Sequence, residues 1–247
     1  MSPDALPYCG AAPHPGELLE RFNLDPALLA SLALLAIFHA RYVKGTSRII
    51  ALSGWAIATV AFCSPLCALS VALFSARVGQ HMLLVLLAAP LIALAWPAPL
   101  SGARIGRTWL FAAAFFAFLW LWHMPTPYDA TFSSTSIYWL MHLTLFGSAI
   151  LLWRDLLHHS AARGAEVLVI GTLTSMQMGL LGAILTFASR PLFFWHLTTT
   201  TPWGFSALRD QQLGGVLMWV PGIAFFLFFA LRSLGRLWKL LEPEKAA

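Results

Sequence analysis

Seven runs of apolar residues, each roughly 17 to 22 long, make up most of this chain and leave it few ways to fold. A helix needs about 20 residues to cross about 30 Å of hydrocarbon, and the runs fall near 26–43, 48–64, 79–96, 107–123, 137–153, 166–187 and 213–231. Each is continuously apolar instead of alternating, so its backbone is satisfied as helix and not as barrel strand. With 59% hydrophobic and 10% charged residues, the composition excludes an ordinary soluble domain. The expectation is an all-α polytopic membrane protein, a seven-transmembrane-helix bundle over residues 26–238 with a leading segment 1–25 and a tail 239–247. Pro90 and Pro221 lie inside runs and predict kinks.

Basic residues set the orientation. The connections after the first, third and fifth runs hold Arg41, Lys44, Arg48, Arg104, Arg107, Arg154 and Arg163, and the tail adds Arg232, Arg236, Lys239 and Lys245. The opposite side holds only Arg21, Arg77, Arg190 and Arg209. The positive-inside rule therefore puts the N-terminus outside and the C-terminus in the cytoplasm. The net charge of +5 follows from those loops and implies no nucleic-acid partner; the partner it does imply is the lipid bilayer. Residues 1–25 carry Asp4, Glu17, Glu20, Arg21 and Asp25 and lack the basic start and apolar centre of a cleavable signal.

On that orientation His81 opens the third run, His123 closes the fourth and His142 lies about one turn into the fifth, so all three share the outer boundary of the membrane. Asp129, Asp210, Gln211 and Gln212 belong to the same side. Polar groups at membrane depth are costly and face a bundle interior or cavity, which makes each a candidate for function. Taken singly, each histidine is equally well explained by a hydrogen bond between helices; three at one depth point to a site. His39, His158 and His159 fall on the cytoplasmic side, and His14 and His196 lie outside the runs, so none of these is taken as a ligand.

Imidazole suits copper, zinc and iron, while thioether and thiolate select Cu(I). Met82 follows His81, Met124 follows His123 and Met141 precedes His142. Helix neighbours do not share a face, so these six cannot all converge; Met218, about one and a half turns into the seventh run, is taken as a soft partner. Histidine beside methionine on the external side favours copper over zinc. In CSPLC, Cys63 and Cys67 are four apart with Pro65 between them. Two small packed residues, a Cu(I) thiolate pair and a disulfide in an oxidising exterior all remain open for them; Cys9 is in the external segment without an evident partner.

The segments LFSARVGQHMLLVLLAAPLIAL, LWHMPTPYDATF, YWLMHLTLFGSAILLW and LRDQQLGGVLMWVPG resemble, in order and spacing, those of the CtaG family of cytochrome c oxidase assembly factors of the caa type. The resemblance spans roughly residues 48–231. It implies a non-enzymatic respiratory-chain assembly factor in a bacterial inner (plasma) membrane, acting on a haem-copper oxidase subunit. It also implies a metallochaperone role in supplying copper, with a periplasmic copper chaperone as a further partner. His81, His123, His142, Asp210, Gln211, Gln212 and Met218 are the marked positions. Where the family pattern has histidine and methionine four residues ahead of His81, this chain has Arg77 and Val78, so an H-x-x-x-H pair becomes one imidazole beside a fixed cation. Cys63 and Cys67 are the substitutes that could complete a copper site.

Three functions remain in view. The chain holds or passes Cu(I), with Asp210, Gln211 and Gln212 orienting imidazoles; or it binds haem between two imidazoles; or it clamps an oxidase subunit as a metal-free scaffold. No phosphate loop, nucleophile elbow or carboxylate pair lies in the runs, which argues against an enzyme.

Overall fold

All seven apolar runs are helical, and identifiable residues set where the helices begin and bend. The chain is described by a computed structural model covering residues 6–96, 105–158 and 163–241. Arg104, His159 and Lys245, named above as cytoplasmic, lie outside the described residues, as do the side chains of Arg236 and Lys239. The helices are α1 (Pro26–Tyr42), α2 (Thr46–Cys63), α3 (Leu66–Ala72), α4 (Phe74–Met82), α5 (Ala89–Ala95), α6 (Ile105–Trp122), α7 (Pro125–Ser133), α8 (Thr135–Leu157), α9 (Gly164–Thr186) and α10 (Ala207–Leu241), and the described residues contain no strand.

Asp25 starts α1 by accepting the Ala27 N–H at 2.8 Å, with Pro26 at the first helical position, where its missing N–H costs nothing. Ser134 caps α8 in the same way through Ile137 N–H. Five helical stretches are long and apolar enough to cross a membrane: Thr46–Cys63, Phe74–Ala95, Thr135–Leu157, Gly164–Thr186 and Ala207–Arg232. A sixth is made by α6 and α7 together, which bend by 74° at His123 and Met124. α1 is apolar but shorter, at 17 residues.

The third span begins at Phe74, five residues ahead of the expected start. Ser75, Arg77, Gln80 and His81 broke the apolar pattern there, yet all four are buried inside the bundle. His81 therefore lies about two turns into the helix and not at its mouth. α4 and α5 are joined by a π-helical stretch, Leu83–Ala88, in which the Ala89 N–H reaches back five residues to the Leu84 carbonyl. In that register the Val85 carbonyl would pair with residue 90, a proline with no N–H. Trp153 fills the gap from α8, donating its indole N–H to Val85 O at 2.8 Å.

α9 and α10 pack against each other along small residues. A β-carbon on Gly182 would lie 2.6 Å from the Trp219 β-carbon, and one on Gly215 would lie 2.7 Å from the Gly182 carbonyl oxygen. Only glycine permits this approach, the usual device for close helix pairs in lipid.

At one end of the bundle the N-terminal segment folds back over α3 and α8. A Cys9–Cys67 disulfide fastens it, with 5.5 Å between the α-carbons, and Tyr8 stacks on Tyr138. At the other end Arg107 pairs with the buried Asp155 at 2.8 Å, joined by Thr108 and Arg163.

Candidate functional site

The helix starts and the α6–α7 bend bring His81, His123 and His142 to one place. The His81 ring centre is 5.8 Å from that of His123 and 5.3 Å from that of His142, and all three are buried. His123 sits in the turn where α6 stops before Pro125, and its Nδ1 lies 2.7 Å from the Leu119 carbonyl. His142 Nδ1 lies 3.0 Å from the Tyr138 carbonyl. A carbonyl oxygen only accepts, so each Nδ1 carries a proton and each Nε2 presents a lone pair. Neither Nε2 has a partner, and His81 has none at either ring nitrogen.

Four unpartnered imidazole nitrogens in one buried cluster are expensive, because a desolvated polar atom without a partner costs free energy. A neutral His81 carries one proton, so three of the four nitrogens present lone pairs, and the cost falls if those bind something. With a metal–nitrogen bond of about 2.0 Å, two imidazoles on one ion have ring centres roughly 5 to 6 Å apart, which matches the distances from His81 to its two neighbours. As the side chains stand, however, no three His, Cys, Asp or Glu groups among the described residues close into a ready metal-binding set. His81 is the hub, with His123 and His142 flanking it.

The other expected residues have other tasks. Asp210 accepts the Phe74 N–H at 2.6 Å, the Ser75 N–H at 3.2 Å and the Ser75 hydroxyl at 2.5 Å. It is a carboxylate cap for α4 supplied by α10, placed where orphan N–H groups and the helix dipole favour a negative charge. Gln211 accepts from Leu192 N–H and donates to the Leu185 carbonyl, and Gln212 donates to the Ala188 carbonyl. Asp129 accepts from Trp195 N–H at 3.4 Å. These four hold backbone, and the expectation that Asp210 and the two glutamines orient imidazoles gives way to that. Met218 is fully buried in the core with Val78, Met82 and Met141, while Met124 is half exposed.

The cysteines divide. Cys67 is bonded to Cys9 and Cys63 remains a free, buried thiol, so Cys63 and Cys67 do not form a thiolate pair here. The spacing left packing, a thiolate pair and a disulfide open for CSPLC; the fold-back of the N-terminal segment supplied Cys9 as the partner of Cys67.

Arg77 is one turn before His81 on α4 and 1% exposed. Its guanidinium sits 4.4 Å from the Phe132 ring centre, 5.5 Å from Tyr138 and 5.7 Å from Tyr128. It donates to the Ser70 carbonyl and the Thr131 hydroxyl, each at 3.3 Å. Aromatic faces and neutral oxygens hold this cation, and among the described residues no carboxylate forms an ion pair with it.

A family profile described as cytochrome c oxidase caa3 assembly factor matches residues 32–239. The chain belongs to that family. Comparisons with curated proteins and with solved structures returned no match. The histidine cluster of this assembly factor lies within the matched region, as does Arg77.

Sequence reasoning missed several residues near the cluster. Tyr138, whose carbonyl fixes the His142 tautomer, was legible in principle from its spacing of four. Gln80 donates to the Ala61 carbonyl at 2.7 Å and leaves its own carbonyl oxygen unpartnered. His196, in the connection between α9 and α10, bonds Tyr128 at 2.7 Å through Nε2, while Nδ1 faces Ala72 O and Thr199. Burial first, and then the charge of Arg77, push the His196 imidazole down to about 3.

Proposed function

We propose that this oxidase assembly factor holds Cu(I) transiently between His81, His123 and His142 and passes it to a haem-copper oxidase subunit in the same membrane. The observation that carries this reading is the cluster of four buried, unpartnered imidazole nitrogens, two of them on rings whose tautomer already aims a lone pair outward. Neutral imidazoles suit copper. Met218 is the soft side chain in the surrounding core. The Arg77 charge one turn away weakens the hold on a cation, which suits a carrier that must release its cargo by ligand exchange. The charge distribution of the loops supports an orientation with the cluster toward the outer face of a bacterial inner membrane, where a periplasmic copper donor would reach it.

A metal-free scaffold is the second reading, and the same Arg77 favours it. Haem is less well supported: Leu84, Val85, Leu145 and Phe146 close the small space beside His81 and His142, so a porphyrin does not fit between those two rings.

The test is made in cells lacking the chain and supplied with wild-type protein or a His81→Ala/His123→Ala/His142→Ala variant. The carrier reading expects the variant to yield oxidase with haem but depleted in copper, rescued by added copper. Fully copper-loaded oxidase in the variant strain would leave the scaffold.

A further inference from the structure

The chain between Leu6 and Asn23 is a strap fixed at its two ends. Its middle, the 3-10 turn Pro15–Glu20, has no buried residue, and Leu19 and Phe22 are exposed. At one end Asn23 gives its backbone N–H to the Cys63 carbonyl at 2.9 Å and its side-chain N–H to the Phe62 carbonyl at 3.3 Å. At the other, the Tyr8 hydroxyl bonds Asp25 at 2.5 Å and the Trp203 indole N–H bonds the Pro13 carbonyl at 3.1 Å. The Cys9–Cys67 disulfide adds a covalent tie. Beneath it two rings lead to the histidine cluster: Tyr8 stacks on Tyr138 with 4.9 Å between ring centres, and Tyr138 packs on His142 at 4.4 Å.

The surroundings of the disulfide are asymmetric. Cys9 is partly exposed and Cys67 fully buried, so an incoming thiolate meets the Cys9 sulfur and expels that of Cys67. A disulfide sulfur has no proton to give, so the Tyr138 hydroxyl is the donor in its contacts, 3.5 Å from Cys9 Sγ and 3.8 Å from Cys67 Sγ. The Asn23 side-chain N–H reaches Cys67 Sγ from 3.6 Å. Both donors stand where negative charge collects as Cys67 leaves, and exchange is faster with an accessible sulfur and a stabilised leaving thiolate. We infer that Cys9–Cys67 is a latch opened by a separate dithiol protein and that the strap it holds is the cover of the histidine cluster. A thiolate of that dithiol bonds to Cys9 Sγ while the Cys9–Cys67 bond breaks with its electron pair on Cys67 Sγ, which takes up a proton. The second thiol of the reductant then displaces Cys9 and closes its own disulfide, so two electrons and two protons pass to the chain. Tyr8 then lifts from Tyr138 as the strap swings on Asn23, and the column of rings over His142 opens.

Access to the cluster is independent of what the histidines bind, so it is tested on metal-free full-length protein in detergent, by diethylpyrocarbonate modification read residue by residue with peptide mass spectrometry. In the oxidised wild type the exposed His14 should react and His142 should not. In Cys9→Ser/Cys67→Ser, and in wild type after dithiothreitol, His142 modification should rise by roughly tenfold or more, the scale of losing a cross-link. The buried His196 should stay protected throughout. Tyr138→Phe keeps the ring and removes the donor, so it should slow reduction by dithiothreitol several-fold while leaving the thermal midpoint of the reduced protein in place. His142 equally protected with and without the bond would overturn the inference, as would His142 and His196 becoming reactive together, which is unfolding and not the lifting of a cover. An unchanged reduction rate in Tyr138→Phe, a disulfide that yields only in denatured protein, or free Cys9 and Cys67 thiols after purification under oxidising conditions would overturn it as well.

Discussion

His142 donates its Nδ1 proton to the carbonyl of Tyr138, 3.0 Å away and one helical turn earlier on the same helix. That bond fixes both the tautomer and the plane of the ring, so the free lone pair is on Nε2, on the side of the ring away from its own backbone bond. His123 repeats the arrangement with Leu119. The resulting asymmetry between hub and flanks has consequences that substitutions can read.

Removing the hub should cost most. His81→Ala is expected to lower Cu(I) affinity by more than the roughly 10- to 100-fold typical of losing a residue that only supports a ligand, and His123→Ala or His142→Ala by less than His81→Ala. Competition with a chromophoric Cu(I) chelator gives the order. If all three lose equally little, the histidines are not the ligands.

Arg77→His should tighten copper binding. It removes a fixed charge one turn from His81 and restores a second imidazole on that face, for a gain of roughly one to two orders of magnitude. Arg77→Met removes the charge alone and should give part of the gain, at a cost in stability of about 0.5 to 2 kcal/mol from the lost aromatic contacts. The same chelator competition and a thermal melt measure both; unchanged affinity in both variants would mean the charge is not felt at the cluster.

Asp210→Asn should loosen the start of α4. The carboxylate takes three donors from Phe74 and Ser75, and the amide presents its own N–H groups to one or more of them. A loss of about 1 to 3 kcal/mol is expected, seen as a lower midpoint in detergent melts and faster hydrogen exchange at Phe74 and Ser75.

His196 makes stability depend on pH. Its folded value is held down near 3 by burial and by Arg77, while an unfolded histidine titrates near 6.5. Between those values the unfolded chain binds the extra proton, so the contribution is complete above about pH 6.5 and is lost as pH falls toward 3. Melts of wild type between pH 7 and 4.5 should show a falling midpoint, and His196→Gln should flatten that fall. Parallel slopes would show that another group controls the acid side.

The sequence made the helices and the histidine trio legible because both are local signals: apolar run length, and three imidazoles at one depth. The multi-span helical bundle followed from the apolar runs, and the family from the order and spacing of four sequence segments. It did not reveal what Asp210 does, since its partners Phe74 and Ser75 lie 136 and 135 residues away and a carboxylate at a helix start looks the same whichever helix it caps. The Cys9–Cys67 bond, 58 residues apart, depends on a fold-back that no spacing encodes. Pro90 announced a kink, but the π-helical stretch and the Trp153 bond that replaces the missing proline N–H required the packed neighbour. Arg77 was counted with the basic residues of the external side, ahead of the third run; three aromatic rings from α7 and α8 make it an interior residue.

Copper K-edge X-ray absorption on purified protein loaded with one equivalent of Cu(I), beside the His81→Ala/His123→Ala/His142→Ala variant, tests the proposed carrier role most directly. Near-stoichiometric copper with two to three imidazole nitrogens at about 2.0 Å, absent from the triple variant, is the predicted result. Copper that does not bind, or that binds the variant with the same spectrum, would contradict it.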